Sequence, residues 1–156
     1  MKVARLTISD RASTGVYSDK GGPELERVFR EVWPEPVQMI AKIIADERED
    51  ISRVLAFLVD EEHCDLILTT GGTGPAPRDV TPEATLDVIH KELPGFGEAQ
   101  RAVSFRSVPT AILSRATAGV RGRSLILNLP GNPKAIAECL PPLIPAIREA
   151  LRHLAE

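Results

Sequence analysis

Short apolar runs alternate with longer amphipathic segments along most of the chain. The short runs are rich in Val, Ile, Leu and Thr, and they predict β-strands over residues 3–8, 37–45, 66–70, 110–114 and 124–129. The longer segments repeat apolar residues every three or four positions and predict helices over residues 23–33, 46–59, 81–92, 97–107, 133–140 and 142–154. This alternation predicts an α/β fold. Its last two strands form a predicted antiparallel hairpin around a turn at 118–123, which makes the mostly parallel sheet mixed.

Length and composition are those of one globular domain over residues 1–156. The chain is 43% hydrophobic and 26% charged, which provides enough apolar material for a sizeable core. The net charge of −3 argues against a nucleic-acid or anionic-membrane partner. Cys64 and Cys139 stand in apolar or helical surroundings. They fit buried thiols in a reducing compartment, so we expect a cytoplasmic protein.

A glycine-rich loop follows the strand at 66–70. Gly71, Gly72 and Gly74, with Thr70 and Thr73 among them, let the backbone turn sharply and approach a ligand closely. Free N–H groups in such a loop can bind phosphate or carboxylate oxygens. The loop lacks the Lys of a P-loop and is not a G-x-G-x-x-G motif. A plain strand-to-helix turn explains three glycines equally well, but the adjacent Arg78-Asp79 pair favours a ligand site.

Three acidic residues follow three predicted strands. Asp10, Asp46 and Asp79 each lie in a connection that leaves the carboxyl end of a strand. Local roles are available for them: Asp10 suits an Asx-turn, and Asp46 suits an N-cap with Glu49 three residues later. Because open parallel sheets bind ligands beyond their strand ends, the three carboxylates could also converge on one edge.

A second loop repeats the strand–glycine–helix arrangement at Pro130-Gly131-Asn132. Asn132 is a predicted N-cap and Pro133 the first helical residue, as the helix start signals require. This loop is either a tight turn or a second backbone wall of the ligand site.

The predicted chemistry is phosphate transfer with a divalent cation. Carboxylates close to bound phosphates repel them, and Mg²⁺ removes that repulsion because it binds carboxylates together with substrate phosphates. No Ser/His/Asp or Cys/His hydrolase pattern is present in the sequence. Transfer at phosphorus depends mostly on positioning and charge neutralisation, for which Arg78 or Lys134 is available.

Six segments together carry a resemblance to a known family. They are Thr69-Thr70-Gly71-Gly72-Thr73-Gly74, Arg78-Asp79-Val80-Thr81-Pro82-Glu83, Ile8-Ser9-Asp10-Arg11-Ala12-Ser13, Pro94-Gly95-Phe96-Gly97, Ala111-Ile112-Leu113-Ser114-Arg115 and Leu129-Pro130-Gly131-Asn132-Pro133. With them the chain resembles the molybdopterin adenylyltransferases of molybdenum cofactor biosynthesis, which are the bacterial MogA proteins and the matching G domains of plant and animal molybdenum cofactor proteins. The MoaB proteins form a closely related branch.

The resemblance implies a three-layer α/β/α domain that forms a homotrimer. It implies transfer of AMP from Mg-ATP to the terminal phosphate of molybdopterin, followed by hand-over to a MoeA-like metal-insertion protein. Asp46 and Asp79 are the implied catalytic and Mg²⁺-binding residues. The implied substrate-binding residues are Asp10, Thr70, Gly71, Gly72, Thr73, Gly74, Arg78, Ser114, Pro130, Gly131 and Asn132. The family usually has proline immediately before the acid at position 46, and this chain has Ala45 there.

Two alternatives use the same motifs. A non-catalytic pterin- or nucleotide-binding module would present cofactor to a partner and would tolerate loss of the acids. A MoaB-branch paralogue would share the fold and the motifs, in a molybdenum or tungsten pathway.

Overall fold

A computed structural model describes all residues from Met1 to Glu156. Its six strands are β1 Lys2–Ile8, β2 Gln38–Ile44, β3 Leu66–Thr70, β4 Lys91–Glu92, β5 Ala118–Arg121 and β6 Ser124–Leu129. They form one sheet in the order β2-β1-β3-β6-β5-β4. Neighbours among β1, β2, β3 and β6 are parallel, whereas β5 runs antiparallel to both β6 and β4. The predicted mostly parallel, mixed sheet is therefore confirmed.

Helices cover both faces of the sheet, which confirms the three-layer arrangement. The helices are α1 Asp10–Ser13, α2 Gly21–Val32, α3 Arg48–Asp60, α4 Thr81–Val88, α5 Gly95–Phe105 and α6 Pro133–Ala155. Helices α2, α5 and α6 pack on one face, and α3 and α4 pack on the other. Successive side chains of β3 point to opposite faces, so Leu66 and Leu68 join the first core and Ile67 joins the second.

The predicted hairpin exists, but its first strand is not the predicted one. Residues 110–114 lie in a 3₁₀ helix, Pro109–Leu113, and the strand paired with β6 is β5. Pro109 cannot donate to a strand ladder and suits a first helical turn. Gly119, which lies within the predicted turn, is instead a packing residue within β5. A methyl group there would lie 2.4 Å from Ile89 Cδ1.

The largest differences from the predicted helices lie in α4 and α6, whereas the boundaries of α2, α3 and α5 move by one or two residues. Helix α4 ends at Val88, and Lys91–Glu92 forms the short strand β4. Helix α6 is continuous, although Pro141, Pro142 and Pro145 lie inside it. Each proline removes a helical N–H donor, but the buried apolar stripe of α6 continues past them and keeps the helix on the sheet. None of the helices has the length and apolar character needed to cross a membrane.

A buried polar network lies within the sheet beneath the strand ends. The fully buried Asn128 on β6 donates from Nδ2 to Thr69 Oγ1 over 3.1 Å and to Thr85 Oγ1 over 2.9 Å. Its Oδ1 accepts from Thr117 N at 3.3 Å, and its backbone carbonyl accepts from Gln100 Nε2 at 2.9 Å. One side chain therefore joins β3, α4 and the segment before β5.

We expect Asn128→Ala to lower the free energy of unfolding by roughly 2–3 kcal/mol, because the Thr117 N–H loses its partner and a cavity opens. Urea unfolding would measure the change. Asn132→Ala provides the comparison, since loss of that exposed helix cap should cost only about 1 kcal/mol. Equal losses in the two variants would contradict the role given to the buried network.

Candidate functional site

The candidate site lies at the carboxyl ends of the parallel strands. The chain passes from β1 outward to β2 and then crosses back to β3 on the other side of β1. Connections on the two sides of β1 therefore diverge, which is where open parallel sheets place their ligand crevice. The loops after β1, β2, β3 and β6 border this crevice position and carry nearly all the residues predicted from the sequence.

The glycine loop packs directly on neighbouring backbone. Gly71 and Gly72 have φ values of +99° and +68°, in the region that favours glycine. A methyl group on Gly71 would lie 2.3 Å from the Ile8 carbonyl oxygen, and one on Gly131 would lie 3.3 Å from Gly71 Cα. Thr70 Oγ1 also donates to the Pro130 carbonyl over 2.8 Å. The loops after β1, β3 and β6 are therefore in mutual contact.

Asp10 and Asp46 join the ends of β1 and β2 by a reciprocal pair of hydrogen bonds. Asp10 N donates to Asp46 Oδ2, and Asp46 N donates to Asp10 Oδ1, each over 2.9 Å. The N-cap role suggested for Asp46 is wrong. Helix α3 begins at Arg48 with Glu47 at its N-cap, and no side chain caps it.

Arg78 provides the countercharge for these acids. Its guanidinium donates to both carboxylate oxygens of Asp10, at 3.1 and 2.9 Å, and to Glu47 Oε1 at 2.8 Å. The hydrogen bond from Arg78 holds the pKa of Asp10 below its ordinary value. Arg78 is 56% exposed, so water screens these ion pairs and the guanidinium can change partners.

Asp79 and Asp46 each leave one carboxylate oxygen free. Asp79 Oδ2 accepts from Ala76 N at 3.1 Å, and a methyl group on Gly74 would lie 2.8 Å from the same oxygen. Burial raises the pKa of Asp46, and the charges of Asp10 and Asp79 add to that rise. The acids are therefore close enough to repel one another.

This donor set fits Mg²⁺ bound jointly with a substrate. No group of three or more His, Cys, Asp and Glu side chains forms a complete metal cage. Mg²⁺ is commonly held by one or two carboxylates plus phosphates, and it would relieve the repulsion between Asp46 and Asp79. Their Oδ1 atoms make no hydrogen bond and are the oxygens available to it.

A cleft of about 330 Å³ opens on the other side of the loop after β6. Ser114, Pro130 and Asn132 line it, as does Lys134, but none of the three acids does. The predicted residues thus divide between an acidic edge and this cleft. The side chains that line the cleft from α5 and α6, which sequence reasoning did not assign to the site, are Gln100, Arg101, Ser104, Glu138 and Cys139.

Three further side chains donate to backbone carbonyls around the site. Thr81 is the first residue of α4, and its buried hydroxyl donates to the Gly71 carbonyl over 2.9 Å. Arg101 on α5 donates from Nη1 to the carbonyls of Ser114 and Ala116 at 3.2 and 3.1 Å. Arg115 binds the glycine loop at several points. No spacing in the sequence signals this contact.

The fold is that of an α/β domain whose strand-end loops bring carboxylates and glycine backbone together. The protein family described as "Probable molybdopterin binding domain" matches residues 4–149. A molybdopterin adenylyltransferase from Helicobacter pylori is 54% identical over 142 residues, which cover 91% of this chain and 81% of that protein. The corresponding protein of Escherichia coli K12 is 53% identical over 140 residues, covering 90% and 72%.

A solved structure agrees with these sequence matches. The molybdopterin biosynthesis enzyme MoaB from Thermus thermophilus superposes with a TM-score of 0.89 at 44% identity, covering 98% of this chain and 95% of that one. The chain belongs to the molybdopterin-binding domain family.

We expect Asp46→Asn to raise the melting temperature at pH 7 without divalent ions. The pKa of Asp46 is higher in the folded state than its ordinary value. The free energy of unfolding therefore falls as pH rises from the ordinary pKa to the raised pKa, because the ionised carboxylate is less favourable in the folded state. The gain should disappear at acid pH, where Asp46 is protonated in both states.

Asp10→Asn should behave oppositely, because the pKa of Asp10 is lowered and its ionised form supports the fold at neutral pH. Scanning calorimetry from pH 3 to 8 would measure both variants. A melting temperature of Asp46→Asn below wild type at pH 7 would contradict the assigned repulsion.

Proposed function

We propose that this chain is a molybdopterin adenylyltransferase that transfers AMP from Mg-ATP to the terminal phosphate of molybdopterin. The observation that supports this proposal most strongly is a sequence identity of 53–54%, over about nine-tenths of the chain, to curated proteins of that name. The site geometry supports it, because oxygen ligands for a cation stand beside a loop of closely packed backbone and a separate cleft.

In this proposal the acidic edge binds Mg-ATP. Asp46 and Asp79 hold Mg²⁺ through their free oxygens, and backbone N–H groups of the glycine loop bind phosphate oxygens. Asp10 fixes Asp46 through their reciprocal bonds. The exposed Arg78 is close enough to this edge to transfer its hydrogen bonds from carboxylates to a phosphate.

Molybdopterin occupies the cleft in this proposal. Pro130 and Asn132 form the wall between the cleft and the acidic edge, so a terminal phosphate leaving the cleft past Gly131 reaches the bound nucleotide. Lys134 lies in the cleft lining and forms no ion pair in the structure, which leaves its charge available to that phosphate. Ser114 contributes a hydroxyl from the opposite wall.

The reaction is a displacement at the α-phosphorus of ATP. An oxygen of the molybdopterin phosphate forms the new P–O bond, and the bond to the bridging oxygen of pyrophosphate breaks. That phosphate is already ionised near neutral pH, so no residue has to act as a strong general base. Mg²⁺, when bound, neutralises charge on the transferred group and on pyrophosphate. Asp46 and Asp79 act by positioning that charge.

Asp46→Asn and Asp79→Asn should each lower turnover by at least roughly 100-fold, the order of loss when one electrostatic group is removed from such a site. Pyrophosphate release and adenylyl-molybdopterin formation would be measured with purified protein, ATP, molybdopterin and Mg²⁺. Asp87→Asn is the matched control, because Asp87 is an exposed acid on α4 that pairs with Arg48 outside the crevice.

The same assay separates the alternative functions. Wild-type turnover in both acid variants would contradict the assigned roles of Asp46 and Asp79. Tight molybdopterin binding by the wild-type protein without any product would instead identify a non-catalytic module that presents cofactor.

We also propose that the protein is a homotrimer. An apolar patch at the end of α5 and the following 3₁₀ helix leaves four large side chains half or more exposed: Phe105, Val108, Ile112 and Leu113. A patch of this kind on one segment suits a contact between subunits, since scattered exposed apolar residues are normal but clustered ones are not. The patch adjoins the cleft, which Val108 also lines.

Ile112→Glu should convert the trimer to monomers, because it places a charge within the proposed contact. Light scattering after size-exclusion chromatography would measure the mass. Leu86→Glu, which changes an exposed leucine on α4, should leave the assembly unchanged. A wild-type monomer, or a trimer that survives Ile112→Glu, would contradict this proposal.

The domain organisation, the cellular location and the downstream protein are proposals as well. Residues 1–156 act as one domain in the cytoplasm, in keeping with the two buried free thiols Cys64 and Cys139. The adenylylated product passes to a metal-insertion protein of the MoeA type.

A further inference from the structure

Arg115 makes contacts with four residues around the site. It follows the 3₁₀ helix and precedes β5, and its Nε donates to the Gly74 carbonyl over 3.0 Å. Its Nη2 donates to the Asp79 carbonyl over 2.8 Å, and its Nη1 pairs with the carboxylate of Glu83. Its own backbone N donates to the Thr73 carbonyl over 2.8 Å. These contacts hold both ends of the segment from Thr73 to Asp79.

The backbone of Arg115 is itself fixed by α5. Arg101 Nη1 donates to the carbonyls of Ser114 and Ala116, the residues on either side of Arg115. A methyl group on Gly97 would lie 2.0 Å from the Ala116 carbonyl, so this segment lies directly on the helix. Ser114 and Arg101 also line the cleft. A continuous set of contacts therefore runs from the cleft wall to the loop that carries Asp79.

We propose that Arg115 is a positioning residue that sets the place of Asp79 and links that carboxylate to the cleft wall. It acts through backbone carbonyls and not on the substrate. The Asp79 carboxylate is otherwise held by one hydrogen bond within its own loop, from Ala76 N. Without Arg115, the side-chain links from the segment Thr73 to Asp79 to the rest of the domain are the exposed ion pairs of Arg78 with Asp10 and Glu47.

The chemistry of the contact requires arginine. A planar guanidinium donates in several fixed directions at once, whereas the lysine ammonium is a flexible point charge. Arg115→Lys should therefore retain the ion pair with Glu83 but lose the simultaneous bonds to Gly74 and Asp79. The conservative variant should fall between wild type and Arg115→Met.

The experiment compares Arg115→Met with Arg121→Met. Arg121 makes similar contacts elsewhere, donating to both oxygens of Asp60 and to the Val88 carbonyl over 2.8 Å. Both variants should lose some stability. Arg115→Met alone should increase amide hydrogen exchange in residues 72–80 and weaken Mn²⁺ binding with a non-hydrolysable ATP analogue by roughly 10- to 100-fold, the usual loss when a ligand-orienting contact is removed. Its apparent Mg²⁺ requirement in turnover should rise by the same factor.

The outcomes distinguish a failure of this inference from a failure of the proposed function, on which the assignment of a Mg²⁺ site depends. Equal loop exchange and equal Mn²⁺ binding in the two variants would overturn the positioning role. A fall in kcat with unchanged Mn²⁺ binding and exchange would also overturn it, since Arg115 would then act on the reacting groups. If wild-type protein shows no Mg²⁺-dependent turnover but Arg115→Met still loosens residues 72–80, the proposed function fails and the positioning role remains.

Discussion

The close approach of backbone segments at the carboxyl edge of the sheet is the constraint on which the site depends. Gly71 lies so close to the Ile8 carbonyl that no side-chain carbon fits on it, and Gly131 packs beside it. Thr70 and Thr81 then bond to the backbone of the two loops. Because the loops after β1, β3 and β6 are in contact, the groups that they carry hold fixed mutual positions. A rigid arrangement of this kind reduces the reorganisation that binding and catalysis would otherwise require.

The carboxylates at that edge are only partly balanced by positive charge. Arg78 compensates Asp10, whereas burial and its acidic neighbours raise the pKa of Asp46. Concentrating carboxylates in this way disfavours the fold slightly and favours a cation. The reciprocal bonds between Asp10 and Asp46 keep the carboxylates in place despite their repulsion. Functional sites commonly retain such unfavourable interactions when the surrounding structure fixes them.

The wall formed by Pro130 to Asn132 separates the acidic edge from the cleft, and the two regions differ in chemistry. One side presents carboxylates and glycine backbone, and the other presents hydroxyl, amide and basic side chains around a cleft. In the proposed reaction, the two substrates bind on either side of this short loop and meet across it. Arg115 and Arg101 connect the same two regions through α5 and the segment before β5. The wall and Arg115 lie outside the regular strands and helices, so no periodic pattern reveals their contacts.

The sequence by itself determined the α/β class, the parallel strands β1, β2, β3 and β6, and the loops that follow them, because apolar periodicity and glycine placement are local properties. It also located Asp10, Asp46 and Asp79 at strand ends. It did not decide whether Asp46 is a helix N-cap or a site residue. Only the tertiary structure decided that Asp46 bonds to Asp10, that residues 110–114 form a 3₁₀ helix while 118–121 form the strand beside β6, and that α6 continues through its prolines. It alone placed Arg101 and Arg115 on backbone carbonyls. These outcomes depend on partners distant in the chain, whose burial and hydrogen bonds outweigh local preference.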